Sequence, residues 1–270
     1  MLFASDLDQT LIYSRKSFRG EIAETDIQLI ETLEGKEISF MTNKAINLLK
    51  EVAASFVFVP VTTRTVEQYQ RISIFQETII PRFAITSNGG NILENGRADE
   101  EWNRKLKDLM DTQCAPIEEI AAGFDKLASE EWVIKKRNAE SLFLYYIIER
   151  SKIPPKELAK FTSWLEKQGW TYSLQGRKLY FVPRPVNKWN ALLHVCERLN
   201  SEKVITAGDS LLDLCMLEGA HHAFCPLHGE LGTGEVPLQG HIMKTEKNGI
   251  LASEEILESV LKLSKTGLLA

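Results

Sequence analysis

The sequence predicts an α/β fold: a three-layer, Rossmann-like core with a mostly parallel sheet, plus a smaller α+β cap domain inserted in the chain. Two observations predict the core. Short apolar runs at 1–5, 56–61, 83–86 and 203–207 end abruptly in polar residues, as buried parallel strands do. Amphipathic stretches lie between most of them, with apolar residues three and four apart. A third observation predicts the insertion. Between about 99 and 183 the β–α rhythm gives way to two helices, a strand pair, a helix and a second strand pair.

The chain has 270 residues, enough for one or two domains at about 150 residues each. An apolar fraction of 44% marks a globular protein. The formal net charge of -5 argues against non-specific nucleic-acid binding. No window is apolar for long enough to span a bilayer, and the first residues are too short and acidic for a signal peptide. Cys114, Cys196, Cys215 and Cys225 form no CxxC pair, which reads as reduced thiols in a cytoplasmic protein. Small anionic substrates remain possible, and neither nucleic acid nor a membrane is an expected partner. Oligomeric state is not legible.

In order, residues 1–5 form a strand that runs into Asp6-Leu7-Asp8-Gln9-Thr10. Residues 24–33 read as a helix with Ile27, Ile30 and Leu33 on one stripe. A short strand at 37–41 precedes a helix over 43–52, with Thr42 as its N-cap. The strand at 56–61 ends in Thr62-Thr63-Arg64-Thr65, and 66–76 reads as helical. The strand at 83–86 closes in Ser87-Asn88-Gly89-Gly90-Asn91 and a hairpin arm at 92–96. In the insertion, 101–110, 117–127 and 156–168 are helices. Residues 131–137 with 141–147, and 170–174 with 178–182, are hairpins. A helix over 187–199 carries Lys188 in its first turn. The strand at 203–207 leads into Gly208-Asp209-Ser210-Leu211-Leu212-Asp213 and a helix to about 218. A strand at 221–225 and a helix over 253–265 complete the chain.

Parallel strands bring their carboxyl ends to one edge, where open α/β sheets bind ligands. That edge collects Asp6, Asp8, Thr62, Asn88, Asp209 and Asp213, and Lys188 joins them from a helix start. Carboxylates this close require a cation, a shared proton or both. Three or more carboxylates with one lysine suit Mg²⁺, which takes few protein oxygens plus water and phosphate. Asp6 could attack phosphorus once its repelling oxygens are neutralised. Asp8 could give a proton to the leaving oxygen and take one from water. Thr62 and Lys188 could hold phosphoryl oxygens, and Asn88 either joins them or serves only its turn. Asp209 could complete the metal shell. Asp213 could bind a metal-held water, orient Lys188, or be a plain first-turn acid.

Taken in order, Asp6-Leu7-Asp8-Gln9-Thr10, Thr62, Lys188 and Gly208-Asp209-Ser210-Leu211-Leu212-Asp213 resemble the four motifs of haloacid dehalogenase (HAD) superfamily phosphatases. The resemblance covers nearly the whole chain. The insertion resembles a C2-type cap, of the C2B kind, as in the sucrose-phosphatase and trehalose-phosphatase branch. This implies a catalytic core of 1–98 and 184–270 and a cap of 99–183. It also implies an aspartyl-phosphate on Asp6, acid–base work by Asp8, and Mg²⁺ held by Asp6, the Asp8 backbone carbonyl and Asp209. The implied activity is hydrolysis of a phosphomonoester, with a small phosphorylated metabolite, most often a sugar phosphate, as the implied partner. The alternatives are a phosphotransferase or phosphomutase with the same intermediate, and a non-catalytic metabolite-binding module.

Two positions depart from the pattern. Gln9 stands where many members carry Gly, so its side chain could narrow the pocket. Thr62-Thr63-Arg64 replaces Thr-Gly-Arg, so Thr63 is an alternative phosphate ligand. Arg64, Lys135, Arg137 and Arg177 are candidates for substrate specificity, with solvated charge or a salt bridge as the plainer reading. Thr42-Asn43-Lys44 imitates a phosphate-binding pair, but a helix cap explains it more economically.

Overall fold

The first strand, β1 (Leu2–Ser5), is buried at every position, as a strand covered on both faces must be. The computed structural model describes residues 1–234 and 236–265. After β1 come a hairpin of β2 (Ile27–Leu33) and β3 (Lys36–Thr42), then α1 (Asn43–Ser55) and β4 (Val57–Pro60). Two short helices follow, α2 (Val66–Gln70) and α3 (Ile74–Glu77), and then β5 (Phe83–Thr86), β6 (Asn91–Glu94) and β7 (Arg97–Ala98). The inserted segment runs α4 (Glu100–Gln113), α5 (Ile117–Asp125), β8 (Val133–Ala139), β9 (Phe143–Ile148), α6 (Pro155–Lys167), β10 (Trp170–Gln175) and β11 (Lys178–Pro183). The chain returns through α7 (Lys188–Leu199), β12 (Val204–Ala207), α8 (Leu214–Gly219), β13 (His222–Cys225), α9 (Glu230–Thr233), β14 (Ile242–Lys244) and α10 (Leu251–Lys265).

Five parallel strands form the main sheet in the order β14-β13-β12-β1-β4. Alternate residues of β1 point to opposite layers. Phe3 packs with α1 and α10 through Leu49, Ile256 and Val260. Leu2 and Ala4 pack with α7 through Leu192 and Val195. β5 joins the same edge by one parallel bridge, Val61 to Ile85, and then pairs antiparallel with β6. Among the described residues no helix is long and apolar enough to cross a membrane.

The inserted segment builds a four-stranded antiparallel sheet, β10-β11-β9-β8. One face buries Leu144, Tyr146, Leu179 and Phe181 against Phe124 of α5 and Phe161 of α6. The other face turns toward the main sheet, and its Ala139, Phe143, Tyr180 and Val182 share a core with Leu2, Val59 and Ile85.

Two expected helices are corrected. Residues 24–33 are a 3₁₀ turn at Glu24–Asp26 followed by strand β2. Ile27, Ile30 and Leu33 fit a helical stripe. Two other features fit a hairpin: left-handed φ at Glu34 and Gly35 (51° and 75°) and a bulge that turns Glu31 inward. The helix expected at 66–76 breaks into α2 and α3, because the Arg71–Ser73 link carries Ser73 to hydrogen-bond the Ile30 carbonyl. The edge strand β14 and helix α9 were not anticipated. The Thr42 side chain caps α1 by accepting from the Ala45 N–H.

Candidate active site

The carboxyl edge of the main sheet assembles a charged centre from segments far apart in sequence. Lys188 is wholly buried in the first turn of α7. Its Nζ donates to Asp6 Oδ1 at 2.6 Å and to Asp213 Oδ1 at 2.5 Å. Asp6, Asp209 and Asp213 each offer an oxygen, all within 4.8 Å of one another. One lysine therefore faces three buried carboxylates.

Electrostatics follow from that imbalance. Burial raises the Asp6 carboxyl to about 7, with Lys188 opposing and Asp213 adding to the rise. Burial, then Asp6 and Asp213, push Asp209 well above its usual range. Burial also works against the Lys188 charge, but Asp213 and Asp6 outweigh it and raise the ammonium's pKa. An oxygen-only acidic cluster with this deficit of positive charge is suited to a hard divalent cation.

Local backbone geometry explains the positions. Asp213 Oδ2 accepts from the Asp209 N–H, the Ser210 N–H and the Ser210 hydroxyl at 3.1, 2.9 and 2.8 Å. This folds Asp213 back over Gly208, where a Cβ would lie 2.4 Å from Asp213 Cβ. Both Asp213 oxygens are thus engaged by protein groups. The start of α7 is pinned by the loop after β5. Gly89 (φ 93°) lies so close that a Cβ would stand 2.2 Å from the Asn187 carbonyl oxygen. Asn88 sits in left-handed backbone (φ 59°), and its Nδ2 donates to the Val186 carbonyl at 3.2 Å. Asn88 Oδ1 is buried with no partner among the described residues.

Asp8 lies beside this centre with half of its side chain exposed. Desolvation opposes its ionisation. The Arg64 charge and hydrogen bonds overcome that and hold it below the usual carboxylate range. Arg64 Nε and Nη2 bind Asp8 at 2.7 and 2.8 Å, and Nη1 binds Glu31 at 2.7 Å. Glu31 is wholly buried and also takes Ser39 Oγ at 2.7 Å and Arg71 Nε at 3.3 Å. Of the two readings of Arg64, the structure displays a salt bridge. Thr62 is buried, and its Oγ1 accepts from the Arg64 N–H at 3.1 Å. Thr63 is half-buried and lies beside Tyr180 of β11.

Gln9 holds φ 64°, a conformation that explains the glycine of similar sequences. Its carbonyl accepts from Tyr13 Oη at 2.8 Å and from His228 Nε2 at 3.0 Å. The Gly249 N–H donates to His228 Nδ1 and so assigns the tautomer. The Gln9 side chain is exposed. Lys135 and Arg137 are exposed on β8, and Arg177 is exposed in the turn between β10 and β11. None of these three touches the carboxylate centre through a hydrogen bond or ion pair.

Several participants escaped the sequence reading. Thr10 Oγ1 donates to Asp6 Oδ2 at 3.3 Å; its place in the first motif was a usable signal. Ser210, which donates to Asp213, stands likewise within the fourth motif, whereas Glu31 and Ser39 carried no such signal. Glu140 is the least foreseeable. From the β8–β9 turn (φ 54°) it accepts from the Val66 N–H at 3.2 Å, from Asn91 Nδ2 at 2.8 Å and from the Ser87 hydroxyl. It fastens the inserted sheet to the loops after β4 and β5.

Comparison with known proteins agrees with this architecture. The sucrose-phosphatase of Synechocystis sp. PCC6803, solved with sucrose and phosphate, superposes with a TM-score of 0.70 at 15% identity, covering 96% of this chain and 97% of that one. A trehalose-6-phosphate phosphatase related protein gives 0.56 at 16% identity, over 100% and 99%. A HAD subclass IIB sugar phosphatase gives 0.55 at 12%, over 99% of each. These likenesses establish the fold. Among curated proteins none matches the chain. The model of the family sucrose-6F-phosphate phosphohydrolase matches residues 1–226. The chain therefore belongs to the sucrose-6F-phosphate phosphohydrolase family and is a HAD-superfamily phosphatase.

Proposed function

We propose that the protein is a Mg²⁺-dependent phosphomonoester hydrolase acting on a small sugar phosphate through an aspartyl-phosphate on Asp6. The observation that carries this reading is the buried lysine shared by Asp6 and Asp213, with Asp209 beside them. In this reading residues 1–98 and 184–270 are the catalytic core and 99–183 the C2-type cap.

Asp6, Asp209 and the Asp8 carbonyl would hold Mg²⁺, which supplies charge neutralisation for the phosphoryl oxygens when bound. Asp6 attacks phosphorus while Lys188, Thr62 and Asn88 hold the non-bridging oxygens. The bond from phosphorus to the leaving oxygen breaks, and Asp8 gives that oxygen its proton. Water then attacks phosphorus as Asp8 takes the water's proton. Phosphate leaves and the Asp6 carboxylate is restored. Asp213 keeps Lys188 aimed at Asp6. The ionised Asp8–Arg64 pair suits the second step, and protonation of Asp8 for the first requires that pair to loosen. The cap excludes water and reads the leaving group.

The test is phosphate release from a panel of sugar, nucleotide and glycerol phosphates, with Mg²⁺ or chelator, for wild type and Asp6→Asn. Magnesium-dependent release that vanishes in the variant is the expected result. No release from any member by folded protein would overturn the hydrolase. Transfer to an added sugar in place of release would identify a phosphotransferase.

A further inference from the structure

The inner face of the cap sheet carries a pattern that phosphoryl transfer does not use. Directly paired residues of neighbouring strands share a face. The register places Lys135, Ile147, Lys178 and Gln175 in one row across the sheet. Arg137, Tyr145, Tyr180 and Ser173 form the next row. The third row begins with Ala139 and Phe143 and is packed into the core with Val182. The rows therefore lead outward from the core, over the first and second motifs. Tyr180 lies beside Thr63, and Lys178 is close enough to Asp8 for its charge to favour that carboxylate.

Two features of these rows call for a ligand. Ser173 is 5% exposed, yet its Oγ has no partner, and the buried Nε2 of Gln175 has none either. Unsatisfied buried polar atoms are expensive and mark places where another polar group docks. Lys135, Arg137 and Lys178 are exposed, and none lies within ion-pair distance of a carboxylate among the described residues. Lys136 provides the contrast. It points to the opposite face and pairs with Asp125 at 3.0 Å.

We propose that the substrate's leaving group carries a second anionic group, a carboxylate or another phosphate, bound by Lys178, Arg137 and Lys135 on the inner face of the cap sheet, while Ser173 and Gln175 take neighbouring hydroxyls. This rests on the hydrolase reading above and narrows its substrate class. A neutral sugar phosphate uses the hydroxyl contacts but brings no second anion to the three cations, of which Lys178 has only the Tyr145 ring and the more distant Asp8 charge.

The experiment compares a phosphorylated aldonic acid, a hexose bisphosphate and a hexose monophosphate as substrates with Mg²⁺. The expected result is a kcat/KM at least about tenfold higher for one or both anionic substrates, the size of one charge-assisted hydrogen bond. Which of the two leads tells a carboxylate from a phosphate. Lys178→Met and Arg137→Met should collapse that preference through KM, and Lys136→Met should keep it. Equal or better use of the neutral substrate, or a preference that survives both variants, overturns the proposal. Binding of the aldonic acid alone against the neutral hexose, followed by calorimetry, gives a readout independent of turnover. If the acid binds at least about tenfold more tightly but nothing is hydrolysed, only the hydrolase reading fails. If hydrolysis proceeds and the acid binds no better, only the anion site fails.

Discussion

The carboxyl edge of the main sheet and the inner face of the cap sheet treat charge in opposite ways. At the edge, Lys188 is enclosed and shared by Asp6 and Asp213, and Asp213 has both oxygens engaged. On the cap face, Lys178, Arg137 and Lys135 stand exposed without carboxylate partners. A low-dielectric site makes each interaction strong and each missing partner costly, so its geometry is rigidly specified. An exposed face tolerates unanswered charge. In the proposed function the first region carries the chemistry, and the second carries the choice of leaving group.

The sharpest way to break this contrast is Asp6→Asn. With Mg²⁺ present, phosphate release should fall by at least about a thousandfold, because a lost nucleophile removes the covalent route. The fold should persist, as read by circular dichroism. Retained turnover would remove Asp6 from the nucleophile's role.

Next in size is Lys188→Met. It leaves Asp6 and Asp213 buried without their shared cation, and breaking a buried pair typically destabilises by about 3–5 kcal/mol. Denaturant unfolding without metal should show that loss, and Mg²⁺ should recover part of it. The same change at exposed Lys178 should leave unfolding within about 0.5 kcal/mol of wild type. Equal losses at the two lysines would erase the distinction between the regions.

Metal-free protein should also show the charge deficit as a pH dependence. The folded Asp6 carboxyl is raised to about 7 from 3.8, so the folded state holds a proton that the unfolded state has released. Stability must then fall as pH rises from about 4 to about 7, and Asp209, raised as well, acts in the same direction. Thermal melting in chelator across that window should show the decline, and Mg²⁺ should flatten it. A rising curve in chelator would mean the carboxylates are compensated by something other than a cation.

Glu31→Gln probes the support behind Asp8. It removes the charge that anchors Arg64 and Arg71 in a fully buried position, and the expected loss is about 2 kcal/mol in unfolding. The smallest effect is expected at Glu140→Ala. Losing this fastening should weaken cap docking by about 1–2 kcal/mol, seen as faster hydrogen exchange at the Val66 amide with little change in global unfolding. Unchanged exchange there would show that apolar packing alone holds the cap.

The hairpin β2–β3 shows why part of the fold was illegible. Ile27, Ile30 and Leu33 satisfy a helical stripe as readily as a bulged strand. The turn at Glu34 and Gly35 closes the hairpin, and Arg64 and Arg71, 33 and 40 residues beyond Glu31, hold that carboxylate inward. Nothing local to residues 24–33 records the demand. The four strand ends and the lysine were legible for the opposite reason. Each sits at a local transition from apolar to polar residues, and parallel topology converts those transitions into one edge.

By itself, the sequence determined the α/β class, the inserted α+β unit, and the candidates Asp6, Asp8, Thr62, Lys188, Asp209 and Asp213, because these follow from short-range patterning and topological rules. Only the tertiary structure decided that Arg64 holds Asp8, that Glu140 fastens the cap, and that Lys178 rather than Lys136 faces the cleft. Those outcomes depend on strand register and long-range ion pairing. A one-residue shift in the register of β8 would turn Lys136 to the inner face and Lys135 and Arg137 to the outer one.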